Sequence, residues 1–193
     1  GRFGTPSPGW AWHPYTAAER AVNLLAFARR RGLPGPLGGT LACLAAHGPA
    51  ITRGLEYFGD HHTSNHLANN GRGLYLLGLE LGMENCTRLG AAILLREGAR
   101  IFSPSGLLRE GSSHYHLLLT RNYFDVWFAA RRHRRPETQV LGEIVGRALV
   151  AARILKLSGG SPLIGDISPD CPPDYLEALA GGAAQGWISA LGT

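Results

Sequence analysis

The chain has little cysteine. Its three cysteines, Cys43, Cys86 and Cys171, lie far apart with no C-x-x-C pair. An odd, scattered set argues against a disulfide framework and against a structural zinc site. Long apolar runs are missing too: no stretch of about 18 hydrophobic residues occurs, so no segment reads as a membrane span. Charged residues make up only 17% of the 193 positions and hydrophobic ones 45%, the balance of a folded chain with a sizeable core. Period-2 alternation is nearly absent, with only Pro162-Leu163-Ile164-Gly165 hinting at an extended piece. No signal peptide is visible at Gly1-Arg2-Phe3, which leaves an upstream export signal open. The length fits one domain, or one domain plus a stub of the next.

What is present is helical periodicity. Trp12-His13-Pro14-Tyr15-Thr16 leads into a helix over Ala17–Arg31 with Ala21, Leu24, Leu25 and Ala28 on one stripe, ended by Gly32 and Pro34. Further helices are predicted over Leu37–His47, Ala50–Phe58, His62–Leu81, Asn85–Phe102, Ser113–Arg132 and Thr138–Leu157. The last keeps Leu141, Ile144, Val145, Ala148, Ala152 and Leu155 at helical spacing. Successive helices with short turns predict an all-α array of antiparallel helix hairpins, which can close as a bundle or curve into a toroid or solenoid. After about residue 165 the composition turns Pro-, Asp- and Gly-rich, so 1–165 reads as the helical domain and 166–193 as an exit segment.

Net charge is +5 with His neutral, which suits an anionic ligand. The one dense basic run, Arg131-Arg132-His133-Arg134-Arg135, closes a helix before Pro136 and reads as cations at a helix C-terminus, not as a nucleic-acid site.

Three constellations bear chemistry. Gly59–Asn70 holds three His and three Asn in twelve residues, and His62, Asn65, His66 and Asn69 fall on one helix face. Amides and imidazoles there are suited to holding an anionic group while a proton moves. Capping by Asp60, Thr63 or Ser64 is the plain alternative. His62 and His66 also have i, i+4 metal spacing, but without the Glu of H-E-x-x-H or an obvious third ligand. The second is Glu110-Gly111-Ser112-Ser113-His114-Tyr115-His116. With Ser112 as N-cap, Tyr115 and His116 sit in the first turn, where the helix dipole favours negative charge and Arg109, His114 and His116 add cations. The plain alternative is a cap with aromatic core contacts. The third, Gly165-Asp166-Ile167-Ser168-Pro169-Asp170, reads as a turn, with cation binding or orientation of a histidine as the alternative.

Taken together, Ser64-Asn65-His66-Leu67-Ala68-Asn69 and, about fifty residues on, Glu110-x-Ser112-x-x-Tyr115-His116 resemble the polysaccharide lyases of the heparinase II/III-like superfamily. Trp12-His13-Pro14-Tyr15 with Arg20 and Asn23, and Leu55-Glu56-Tyr57, also look like that family's helical domain; the resemblance covers roughly residues 10–175. It implies an incomplete (α/α) toroid followed by a β-sandwich domain, and β-elimination on a uronate-containing polysaccharide such as heparan sulfate or alginate. Asn65 and His66 would hold the uronate carboxylate and Tyr115 would be base, acid or both. No cofactor or metal is implied, and location would be periplasmic or secreted, with a cytoplasmic one still open. The chain stops at Thr193, near the hand-over to the sandwich, so the expectation is a site half built here and completed by that domain in a longer parent. Beyond the family's pattern, His62 and Asn69, one turn either side, are read as supports behind the carboxylate holders or as sugar contacts, and Arg72 and Arg109 as sites for further carboxylate or sulfate groups. Glu110 and His116, beside the tyrosine, join the substrate-binding set. The alternative is a helical carbohydrate-binding or scaffold domain without turnover.

Overall fold

The computed structural model describes residues 5–60, 65–158 and 160–167. After a 3-10 turn at Trp10–Trp12 come α1 (Pro14–Arg31), α2 (Leu37–Ala45), α3 (His47–Arg53), α4 (Asn65–Leu81), α5 (Glu84–Ile101), α6 (Ser113–Arg132) and α7 (Thr138–Leu155). Among the described residues no strand forms, and extended pairing is confined to isolated bridges such as Phe102 with Leu108. The all-α class expected from periodicity is the one adopted. The chain gathers into two compact units, Gly1–Leu94 and Leu95–Thr193. Of the exit segment 166–193, residues 168–193 lie outside the described residues.

In the first unit α1 packs on α3 and α4. The buried stripe of α1 is Ala17, Ala18, Ala21, Val22 and Leu25, rotated from the predicted one. The reason is a close approach: a Cβ built on Gly73 of α4 would lie 2.7 Å from the Ala18 Cβ. The small residues therefore face α4, and Leu24 is left 39% exposed with Phe27 beside the apolar groove against α2. The start of α5 closes on α4 in the same way, since a Cβ on Gly90 would meet the Tyr75 backbone nitrogen at 2.6 Å.

In the second unit α6 and α7 pack together across the short turn 133–137. Leu119, Tyr123 and Val126 of α6 and Leu141, Val145 and Ala148 of α7 are almost wholly buried. Both ends of α6 have a local cause. Ser112 is the N-cap, its Oγ accepting from the Tyr115 backbone N–H at 3.0 Å. At the other end Arg134 takes the left-handed conformation (φ 52°), with Arg135 N–H bonded to the Ala130 carbonyl at 2.9 Å and Arg134 N–H to that of Arg131 at 3.1 Å. That is a Schellman closure with arginine where glycine is usual.

Candidate functional site

The most built polar cluster of the first unit surrounds Glu56, which lies in the non-helical stretch between α3 and α4 and is 7% exposed. Its Oε1 accepts a hydrogen bond from His66 Nδ1 at 2.6 Å, and its Oε2 accepts one from Asn70 Nδ2 at 3.1 Å. The Glu56 backbone N–H donates in turn to Asn70 Oδ1 at 3.0 Å. Asn70 is fully buried, so the two residues clamp each other and fix the carboxylate. His13 Nε2 stands 3.8 Å from the same Oε1. His66, in the first turn of α4, keeps its side chain 46% exposed and lies against the Tyr15 ring, with centroids 4.7 Å apart. A carboxylate on Nδ1–H orients an imidazole and fixes that nitrogen as the donor. Any ligand on this ring would therefore be met by Nε2.

Asn65 opens α4 beside His66 and is partly buried; its Oδ1 is enclosed without a hydrogen-bond partner among the described residues. Asn69, one turn on, is 1% exposed, and its Nδ2 donates to the Tyr15 carbonyl at 3.4 Å. Asn69 thus ties α4 to α1, the place of a support behind His66. Arg72 is 3% exposed and paired with Glu19 of α1 at 2.9 Å, so its guanidinium joins two helices. His62, Thr63 and Ser64 lie outside the described residues.

The second unit carries the other string. Arg109 and Glu110 are exposed in the loop before α6. Tyr115 is half-buried, packed against Leu117 and Leu118, with the His114 ring edge-on at 5.9 Å. The two serines have structural work. Ser112 Oγ donates to the Asp166 carbonyl at 2.6 Å, and Ser113 Oγ donates to the Pro162 carbonyl at 2.6 Å. Ile164 N–H returns a bond to Ser113 Oγ at 2.9 Å. They strap the segment 162–166 across the first turn of α6, and Asp166 caps its own turn through a bond from Ile167 N–H. His116 does not meet solvent. It is 1% exposed, accepts from Leu108 N–H on Nδ1 at 3.3 Å and donates from Nε2 to the Ala148 carbonyl at 2.9 Å. Burial lowers its pKa, only partly offset by the Ala148 bond. A neutral ring locked at both nitrogens holds the loop to α7.

Sequence reasoning passed over Glu56 as a site residue because residues 50–58 read as helix; the signal was a glutamate ten residues before His66. It also passed over a cluster of buried Trp12 and His47 with half-buried Arg20. Arg20 Nε donates to His47 Nε2 at 3.0 Å, and the guanidinium lies over the Trp12 ring, 4.5 Å from its centroid. His47 Nδ1 donates to the Cys43 carbonyl at 2.8 Å, which fixes the tautomer that accepts from Arg20. Burial lowers the pKa of both His47 and Arg20.

The expected residues thus fall into two sets: Asn65, His66, Asn69 and Arg72 on α4 of the first unit, and Arg109, Glu110, Tyr115 and His116 in the second. Among the described residues no group of three His, Cys, Asp or Glu side chains is placed to hold a metal ion, and no helix is long and apolar enough to cross a membrane. No family model, no curated protein and no solved structure matches the chain.

Proposed function

We propose that the chain is the helical part of a polysaccharide lyase that cleaves a uronate-containing acidic polysaccharide, heparan sulfate-like or alginate-like, by β-elimination without a cofactor. The observation that carries this reading is the Glu56–His66 pair at the start of α4, with its half-exposed imidazole and Asn65 beside it. In the imidazolium form His66 offers a charged Nε2–H to a uronate carboxylate while Glu56 holds the opposite nitrogen. Neutralising that carboxylate is what the reaction requires. The C5 proton is α to it, and removing that proton builds a second negative charge that the held carboxylate can delocalise.

Tyr115 is assigned the proton transfer. As phenolate it takes the C5 proton; the C4–O bond then breaks, the C4=C5 double bond forms, and the proton passes to the leaving oxygen. The capped first turn of α6 supports that role, since backbone N–H groups at a helix start favour negative charge. On this reading the helices are the hairpins of an incomplete (α/α) toroid, a β-sandwich domain completes the cleft, and the enzyme works in the periplasm or outside the cell. Incubation with alginate or heparan sulfate should produce the ultraviolet absorbance of 4,5-unsaturated uronate ends, lost in Tyr115→Phe with substrate binding kept. An unchanged rate in Tyr115→Phe would remove the tyrosine from the mechanism.

A further inference from the structure

The turn before α1 presents one indole to solvent for no packing reason. Gly9 takes a left-handed φ of 120°, which admits a tight turn closed by Trp12 N–H to the Gly9 carbonyl at 3.1 Å and His13 N–H to the Trp10 carbonyl at 3.2 Å. Trp12 anchors the turn: it is 6% exposed and packs, tilted, against the His47 ring with centroids 4.8 Å apart. Trp10, two residues earlier, is 83% exposed. Its ring leans on His13 at 5.5 Å between centroids, and the two border a cavity of about 380 Å³ also lined by Ser7, Pro8, Gly9 and Trp12.

His13, which lines this cavity, also stands 3.8 Å from the dyad's carboxylate. His13 Nε2 faces the Glu56 oxygen that holds His66, so the row runs Trp10, His13, Glu56, His66, Tyr15. A flat indole bordered by serine, proline, glycine and an imidazole is far smaller than a stable protein interface needs. An aromatic face beside hydrogen-bonding groups does fit the C–H face and hydroxyl rim of a pyranose. We propose that Trp10 and His13 form a subsite for the sugar next to the one held at His66, with Trp10 stacking on its ring and His13 bonding a hydroxyl. This rests on the reading of His66 as the uronate holder.

The test is calorimetric titration of the full chain with a mannuronate tetrasaccharide, using the native protein, Trp10→Ala and Trp10→Phe, with melting temperatures alongside. Trp10→Ala should weaken binding about tenfold without moving the melting temperature, and Trp10→Phe should recover most of the affinity. Tetrasaccharide affinity unchanged in Trp10→Ala, no binding by the native chain, or loss of affinity only together with a lower melting temperature would overturn the subsite. Trp10-dependent binding with no unsaturated product would sink the lyase reading and keep the subsite. Unsaturated product with full binding in Trp10→Ala would do the reverse.

Discussion

Replacing Glu56 by glutamine tests the dyad with almost no change of shape. The native carboxylate accepts from two donors, His66 Nδ1 at 2.6 Å and Asn70 Nδ2 at 3.1 Å. Asn70 cannot turn round, because its Oδ1 already accepts from the Glu56 backbone N–H at 3.0 Å. The glutamine must therefore give its single oxygen to Asn70 and face its NH2 toward His66. The imidazole can meet that NH2 only by moving its proton to Nε2, so the swap costs little stability and changes the tautomer. The imidazolium would then have no acceptor at Nδ1. A hydrogen bond to a charged group contributes about 1.5–3 kcal/mol, which corresponds to a fall in kcat/KM of about 10- to 150-fold. Initial rates of unsaturated-uronate formation give the first readout, and 15N NMR of the His66 ring gives the tautomer. The melting temperature should drop by no more than about 4 °C, the shift for about 1 kcal/mol at this chain length. A native rate in Glu56→Gln with the tautomer switched would refute the role given to the dyad.

Three further outcomes follow from the same structure. His47 and His116 are both buried with pKa values lowered by desolvation from 6.5, so the unfolded chain binds protons that the folded one refuses. Their contribution leaves stability unaffected above about pH 6.5 and lowers it as the pH falls toward the folded values; thermal melts of the double variant His47→Gln, His116→Gln should show a flatter acid limb than native. Gly106→Ala should destabilise by about 3 kcal/mol or more in urea titration, because Gly106 has φ 87° and a Cβ there would lie 2.3 Å from the Arg147 carbonyl oxygen; a midpoint near native would contradict the close approach. Arg134→Gly should stabilise by about 0.5–1 kcal/mol, since glycine takes the left-handed position without strain; no gain in the urea midpoint would contradict the Schellman reading.

Local signals made the helices legible, and long-range contacts were not. The bounds of α6, Ser113–Arg132, coincide with the prediction because Ser112 caps one end and the basic run ends before Pro136 at the other. The region 47–58 was misread. Gly48-Pro49 looks like a break, yet Pro49 falls in the first turn of α3, where a missing N–H costs nothing. Helix α3 ends at Arg53, and Glu56 is left in non-helical chain where it reaches Asn70 and His66. Ser112 was legible as a cap but not as the anchor of Asp166, since a bond across 54 residues leaves no periodic trace. Asn69 and Arg72 have the right residue types and helical spacing for ligand contact, but whether their face meets solvent or α1 is decided by the Ala18–Gly73 approach. The pairing of His66 with a carboxylate is a tertiary fact, and it is what gives the histidine chemical direction.

The central claim is elimination from a uronate, and the mass of the products tests it most directly. Digestion of a defined alginate or heparan sulfate oligosaccharide in 18O-labelled water, followed by mass spectrometry, should give fragments that together weigh the same as the parent, with no 18O and a 4,5-unsaturated new end. Fragments heavier by one water and carrying 18O, from the native chain and abolished in His66→Ala, would contradict the account and make the site a hydrolase.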